Sequence, residues 1–233
     1  MDAHRPIRTF GRTGGRALSE RQKRLIAETL PPILVPKTDE GSLAPQSLFQ
    51  STQEVWLEIG FGGAEHLAEQ ASRFPKVGFI GCEPFTEGVA KALAEIQTRS
   101  LSNIRLHPDD AREPIRWFAQ HSLDRVFILF PDPWPKRKQR KRRLVQPDFV
   151  DLIHSRCRIG AKLRFATDVA SYADEALQCF LSHGGFDWTA ECADDWRCPP
   201  TDHVTTRYES KQLGDCAPVW FDLEVTASGV STA

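Results

Sequence analysis

Between residues 55 and 167 the chain repeats one pattern, a short apolar run followed by a polar stretch with helical spacing. VWLEIG (55–60), VGFIGC (77–82), NIRLH (103–107), VFILF (126–130) and KLRFAT (162–167) are the runs. Each is brief and rich in β-branched or aromatic residues, which predicts strands buried on both faces. The clearest helix spans 169–183, where Val169, Tyr172, Ala173, Ala176, Leu177, Phe180 and Leu181 form one stripe. Asp168 is its expected N-cap, and Gly184-Gly185 stop it. A second helix starts at Pro147, sets Phe149, Leu152, Ile153 and Cys157 on one face and ends at Gly160. Helices at about 64–73 and 85–98 fill the first two gaps, and a weaker one over 111–120 fills the third. Five strand–helix alternations predict right-handed crossovers and a doubly wound, mostly parallel α/β sheet.

The tail departs from this pattern. FDWTA (186–190) and VWFDLEVT (219–226) are strand-like with no helical pattern between them, so they are expected as an antiparallel pair at one edge. The polar stretch 191–218 that joins them is long for a loop in a compact domain, and such loops are usually functional or disordered. Residues 1–50 are expected to form a basic N-terminal arm, for which partial disorder is one reading, and residues 51–233 one domain.

Composition narrows the class. No apolar run approaches the roughly 18 residues that span a bilayer. The basic N-terminus lacks the apolar core of a secretory signal, so a cytoplasmic protein is expected. Six cysteines contain no CxxC pair and the histidines no HExxH spacing, which predicts reduced thiols and no structural metal. The net charge of −1 hides two basic segments. Residues 1–24 hold seven basic and two acidic residues, and 136–143 hold seven basic and none acidic. Together these carry +12, leaving −13 on the rest of the chain, a directed field suited to a nucleic-acid partner.

Candidate chemistry lies just after the strands, where ligands of such sheets bind. The first strand runs into EIGFGG (58–63), whose Gly60 and Gly62 allow a tight turn and close approach of a ligand. Glu65 stands where a dinucleotide fingerprint has its third glycine, which disfavours a pyrophosphate cradle. Glu83 ends the second strand, 21 residues beyond Gly62, where an acid accepts ribose hydroxyls. HPDDA ends the third, so Asp109 or Asp110 could take an adenine amino group. Acids at three successive strand ends repel phosphates and suit a cationic, donor-rich ligand. S-adenosylmethionine, with a sulfonium, an ammonium, a diol and an amine, fits; that favours methyl transfer over hydride transfer. The fourth strand delivers FPDPWPK, with Asp132 as an acceptor and Trp134 as a stacking face, both stiffened by prolines.

With their neighbours, these motifs resemble one family, the bacterial tRNA (guanine-N7-)-methyltransferases. The resemblance is carried by LEIGFG (57–62), GCEP (81–84), DDA (109–111), FPDPWPK (130–136) with the basic run ending in KRR, ATD (166–168) and TTRYE (205–209). It implies a seven-stranded, Rossmann-like S-adenosylmethionine methyltransferase fold and methylation of the variable-loop guanine at position 46 of tRNA; whether the protein is a monomer or homodimer stays open on sequence. Under that resemblance Glu58, Gly60, Gly62, Glu83, Asp110 and Asp132 serve the cofactor, with Ala111 after Asp110 favouring it over Asp109. Asp132 is then also the catalytic residue. Lys136, Asp168, Thr206, Arg207, Tyr208 and Glu209 contact the substrate, and Lys138, Gln139, Arg140, Lys141, Arg142 and Arg143 form an RNA-binding run. Two other classes remain open on sequence: a methyltransferase acting on ribosomal RNA or on a protein glutamine, and a silent RNA-binding module. Acids at every strand end count against the silent module, since a pure binder gains nothing from them.

Overall fold

The computed structural model describes residues 15 and 17–227. Among them, seven strands make one sheet: β1 (Val55–Ile59), β2 (Gly78–Cys82), β3 (Ile104–His107), β4 (Leu123–Leu129), β5 (Cys157–Thr167), β6 (Phe186–Trp188) and β7 (Val219–Val225). Their order is β3-β2-β1-β4-β5-β7-β6. β1 to β5 are parallel, and β7 runs antiparallel to both β5 and β6. The helices are α1 (Glu20–Glu28), α2 (Glu65–Arg73), α3 (Thr86–Arg99), α4 (Arg112–Trp117), α5 (Pro147–Arg156), α6 (Ala170–His183) and the short α7 (Asp194–Arg197). None of the described helices is long and apolar enough to cross a membrane.

Alternate strand residues feed two cores. Leu57, Ile59, Val126 and Ile128 pack with Phe149 and Ile153 of α5 and Tyr172 and Phe180 of α6. Trp56, Phe127 and Leu129 pack on the other face with Leu67 of α2 and Leu93 of α3. Burial on both faces explains the unbroken apolar runs. The described part of residues 1–50 joins this body. α1 opens with a reciprocal cap between Ser19 and Gln22 and packs on α3. Leu25 and Leu30 enter the second core, while the Val35 amide donates to the Leu106 carbonyl at 3.0 Å. The basic arm expected from the sequence is therefore, from residue 17 on, laid against the domain. Its Arg5, Arg8, Arg12 and Arg16 lie outside the described residues.

Three expectations need correction. α5 ends at Arg156, and β5 begins at Cys157 rather than 162. Leu123 pairs with Cys157 but Arg125 pairs with Lys162, so residues 158–161 bulge outward, with Gly160 at φ +83°. Asp168 is not the cap of α6. Val169 holds that position, while Thr167 Oγ1 accepts the Val169 amide and Asp215 Oδ1 accepts the Ala170 amide, at 3.2 and 2.8 Å. Residues 191–218, expected to carry no helical pattern, contain the short α7 and a 3₁₀ turn at Glu209–Lys211.

Register positions the site. Ile59 lies beside Cys82 and Ile128, Cys82 beside His107, and Leu129 beside Ala166. The residues that follow these strands therefore gather along one edge. Strand order reverses at β1, with β2 on one side and β4 on the other, so the crevice opens there.

Candidate active site

A cavity of about 830 Å³ occupies this crevice, within the range of roughly 300–1,000 Å³ typical of small-molecule sites. Its floor is the turn after β1. Gly60 and Gly62 have φ of +75° and +53°, a region that side chains disfavour, and open space lies where either Cβ would stand. A ligand can thus meet bare backbone. The Gly62 amide donates to Glu83 Oε2 at 2.7 Å and the Phe85 amide to Glu83 Oε1 at 2.9 Å. Glu83 consequently clamps the turn and still turns unused lone pairs toward the cavity. Glu58, buried near the end of β1, places Oε2 2.7 Å from Nδ1 of the equally buried His66. At the rim, Arg112 grips Asp110 through Nε and Nη2 at 2.9 and 2.7 Å, and Asp109 stays exposed.

Around Glu83 and Asp132 the electrostatics favour a cation. Burial pushes the Glu83 carboxyl up, the Phe85 and Gly62 amides draw it back, and the charges of Asp132 and Glu58 push it up again. The cavity walls likewise raise Asp132, although its surface is open to solvent at the mouth. Carboxylates whose charge is penalised in this way repel a phosphate and are relieved by a positive ligand. With the bare backbone of the glycine turn beside them, these residues fit S-adenosylmethionine.

The turn after β4 forms the other wall. Phe130 and Trp134 both take left-handed backbone, at φ +51° and +40°, which is rare for aromatic residues and clusters at functional sites. The Phe130 amide donates to the Ala166 carbonyl at 2.8 Å, and Arg142 lies over the Trp134 ring at 5.0 Å. Tyr208 packs at 5.7 Å from Phe130. Its phenol is held protonated by burial, then by the charges of Asp168 and Asp132 and a hydrogen bond with Asp168. Asp132, Asp168 and Tyr208 thus share one neighbourhood, although 76 residues separate the first from the last.

Some assigned residues serve the chain itself. Glu209 accepts the Thr206 amide through Oε2 at 2.8 Å and faces His203 Nε2 through Oε1 at 2.9 Å, so its carboxylate closes its own loop. The basic run divides in two. Lys136, Arg137, Lys138 and Lys141 are exposed. Arg143, in contrast, is fully buried, with donors to Pro133 O, Ser171 O, Ser171 Oγ and Glu175 at 2.6 to 2.9 Å and its guanidinium over the Tyr172 ring. Arg140 pairs with the other oxygen of Glu175 at 2.6 Å. The expected RNA-binding role is withdrawn for Arg143, whose donors are all turned inward, and Arg140 is tied to α6. Arg143 instead staples the Asp132 turn to that helix.

Of the assigned residues, Glu58, Gly60, Gly62, Glu83, Asp110, Asp132, Lys141, Arg142, Thr206, Arg207 and Tyr208 line the cavity with part of Arg143. Lys136, Lys138, Gln139, Arg140, Asp168 and Glu209 are not part of that lining. Sequence reasoning missed Lys91 and Lys211, which line it from α3 and the 191–218 loop, and Phe85. Only the position of Phe85 after GCEP gave any signal for them.

A seven-stranded sheet of this order, with a crevice at its switch point and acids at the strand ends that border it, defines the class I, Rossmann-like methyltransferase fold. Solved structures agree on the fold. A 16S rRNA methyltransferase, KamB, superposes with a TM-score of 0.53 at 13% identity, covering 76% of this chain and 90% of that one. An aminoglycoside resistance methyltransferase does so at 0.54 and 12%, covering 82% and 99%. The sequence model of a family described as putative methyltransferases matches residues 52–221. The tRNA (guanine-N(7)-)-methyltransferase of Hyphomonas neptunium is 59% identical over 219 residues, 94% of this chain and 100% of that protein. The Caulobacter vibrioides protein of the same name is 48% identical, covering 94% and 95%. The chain belongs to the tRNA (guanine-N7-)-methyltransferase family.

Proposed function

We propose that this protein methylates N7 of the guanine at position 46, in the variable loop of tRNA, using S-adenosylmethionine. The observation that carries the reading is adjacency: Asp132 stands at the mouth of a cavity that also holds Glu83 and Asp110 from the neighbouring strand ends, and only a few residues before exposed cations. When bound, the cofactor supplies the electrophilic sulfonium methyl group that N7 takes up. Glu83 receives the ribose hydroxyls on the lone pairs that its two backbone amides leave free, and Gly60 and Gly62 give backbone access. Of the two acids after β3, Asp110 meets the adenine amino group as one half of its pair with Arg112. Guanine N7 has no proton to lose, so this chain needs no strong general base; placement does the work. Phe130, Trp134 and Tyr208 offer ring faces to an extruded base, and Asp168, buried behind the lining, orients the Tyr208 phenol by its hydrogen bond. The exposed lysines and Arg137 hold the flanking phosphates.

Position 46 is tested with unmodified transcripts. Methyl acceptance should disappear when guanine 46 is replaced and persist when neighbouring guanines are. Continued acceptance by the 46-substituted transcript would refute the assignment.

Two variants probe the parts. Glu83→Ala should weaken S-adenosylmethionine binding by about 1.5–3 kcal/mol, the worth of a hydrogen bond to a charged group. Calorimetry giving wild-type affinity would remove Glu83 from the cofactor site. Changing Arg137, Lys138 and Lys141 together to Ala should leave stability unchanged and flatten the log–log salt dependence of tRNA binding. Each lost phosphate contact lowers the slope by about 0.7–0.9, so three give roughly 2–3. An identical slope in titrations at several salt concentrations would mean these cations are idle.

A further inference from the structure

The 191–218 loop crosses the sheet face over β4 and β5, and charged residues lie beneath it. The Arg125 guanidinium of β4 lies over the rings of Trp56 and Phe127, at 4.8 and 4.6 Å from their centres. Arg164 of β5 is buried beside it and engages Asp222 through two hydrogen bonds of 2.7 and 2.9 Å. Guanidinium groups on a covered sheet face need partners, because an unpaired buried charge is costly. The loop supplies one. Asp202 accepts Arg125 Nη2 on Oδ2 at 2.9 Å and Arg164 Nη1 on Oδ1 at 2.6 Å. Its carbonyl accepts the amide of fully buried Gln70 at 2.9 Å and Arg73 Nη1 at 3.3 Å. One residue thereby joins α2, β4 and β5 to the loop, four positions before Thr206.

The far end of the loop is fixed by backbone. The amides of Asp215 and Cys216 donate to the Asp168 carbonyl at 3.0 and 3.1 Å. Between these ends sits the cap that joins Thr206, Glu209 and His203, with the His203 ring edge-on to Trp220 at 5.4 Å.

We propose that Asp202 is a positioning residue, a latch that holds the Thr206–Tyr208 segment ready over the cavity by neutralising Arg125 and Arg164. The proposal rests on the reading that this segment meets the tRNA. Asp202 touches neither reactant. It sets how often the loop occupies its binding-competent arrangement, and apparent affinity falls in proportion when that fraction falls. Cofactor binding, on the glycine turn and Glu83, is independent of it.

The test uses the full chain with Asp202→Asn and Asp202→Ala and three readouts. Amide hydrogen exchange over residues 203–211 should accelerate about tenfold, the equivalent of roughly 1.4 kcal/mol. The KM for tRNA should rise by a similar factor, whereas kcat and the affinity for S-adenosylmethionine stay within about twofold, since only the competent fraction changes. Asn keeps the shape and the backbone acceptor, so it carries the test if the Ala variant folds poorly. Unchanged exchange would overturn the latch. Faster exchange with an unchanged KM would overturn the positioning role. A wild-type protein that fails to methylate tRNA would refute the functional reading instead, and exchange would still decide whether Asp202 latches the loop.

Discussion

Asp132→Asn lowers the single-turnover rate of methyl transfer by about 10²–10³-fold at saturating S-adenosylmethionine and tRNA, the loss expected when one preorganised electrostatic group is removed. Asn keeps the size and one acceptor of Asp but not the charge. The guanine ring gains positive charge as N7 is methylated, and a fixed carboxylate in a partly desolvated wall stabilises that charge. Asp132 is fixed: prolines flank it, and Arg143 holds the Pro133 carbonyl at 2.8 Å. Cofactor affinity should change far less than the rate. The pH dependence follows from the direction of the shift. Burial raises the Asp132 carboxyl above its ordinary value near 3.9, so its charge is lost as pH falls through that raised value. The wild-type rate should fall on the acid side there, and the Asn variant should lose that limb. A variant rate near wild type would make Asp132 structural.

Arg143→Ala destabilises the fold by about 3–5 kcal/mol, the sum of buried acceptors left unsatisfied at roughly 1–3 kcal/mol each and of the space the side chain vacates. Four acceptors lose their donor, and the Tyr172 ring loses its cation. Glu175 is half-exposed and keeps Arg140, so most of the cost falls on the Pro133 and Ser171 oxygens and on the emptied space. At roughly 2–4 °C per kcal/mol for a chain of this size, thermal unfolding should drop by about 10 °C. Arg143→Lys restores only part, because an ammonium cannot reproduce the planar fork. Unfolding at wild-type temperature would show that Arg143 is not a staple.

Arg143 also shows where sequence reading ends. The run from Lys136 to Arg143 looks uniform as composition, but Glu175, more than 30 residues away, decides which of its cations fold inward. The capping of α6 has the same form: Asp168 is adjacent in sequence, yet Asp215, 45 residues beyond Ala170, supplies the acceptor. β4 begins at Leu123, earlier than its apolar run, because Asp124 accepts the Val55 amide at 2.7 Å and Arg125 is matched by Asp202. Tertiary partners let charged residues occupy strand positions that a hydrophobic pattern passes over. What was legible followed from burial. Strands covered on both faces must be short apolar runs, and a parallel sheet brings the residues after them to one edge. That alone placed Glu83, one of Asp109 and Asp110, and Asp132 in one crevice. The Ser19–Gln22 cap of α1 was also written in the sequence, but there the density of basic residues suggested an arm.

The most direct measurement is transfer of a labelled methyl group from S-adenosylmethionine to unmodified tRNA by the purified protein, followed by nucleoside analysis of the product. Label recovered as N7-methylguanine is the expected result. Label in any other nucleoside, or none in tRNA while the protein binds S-adenosylmethionine, would contradict the proposed function.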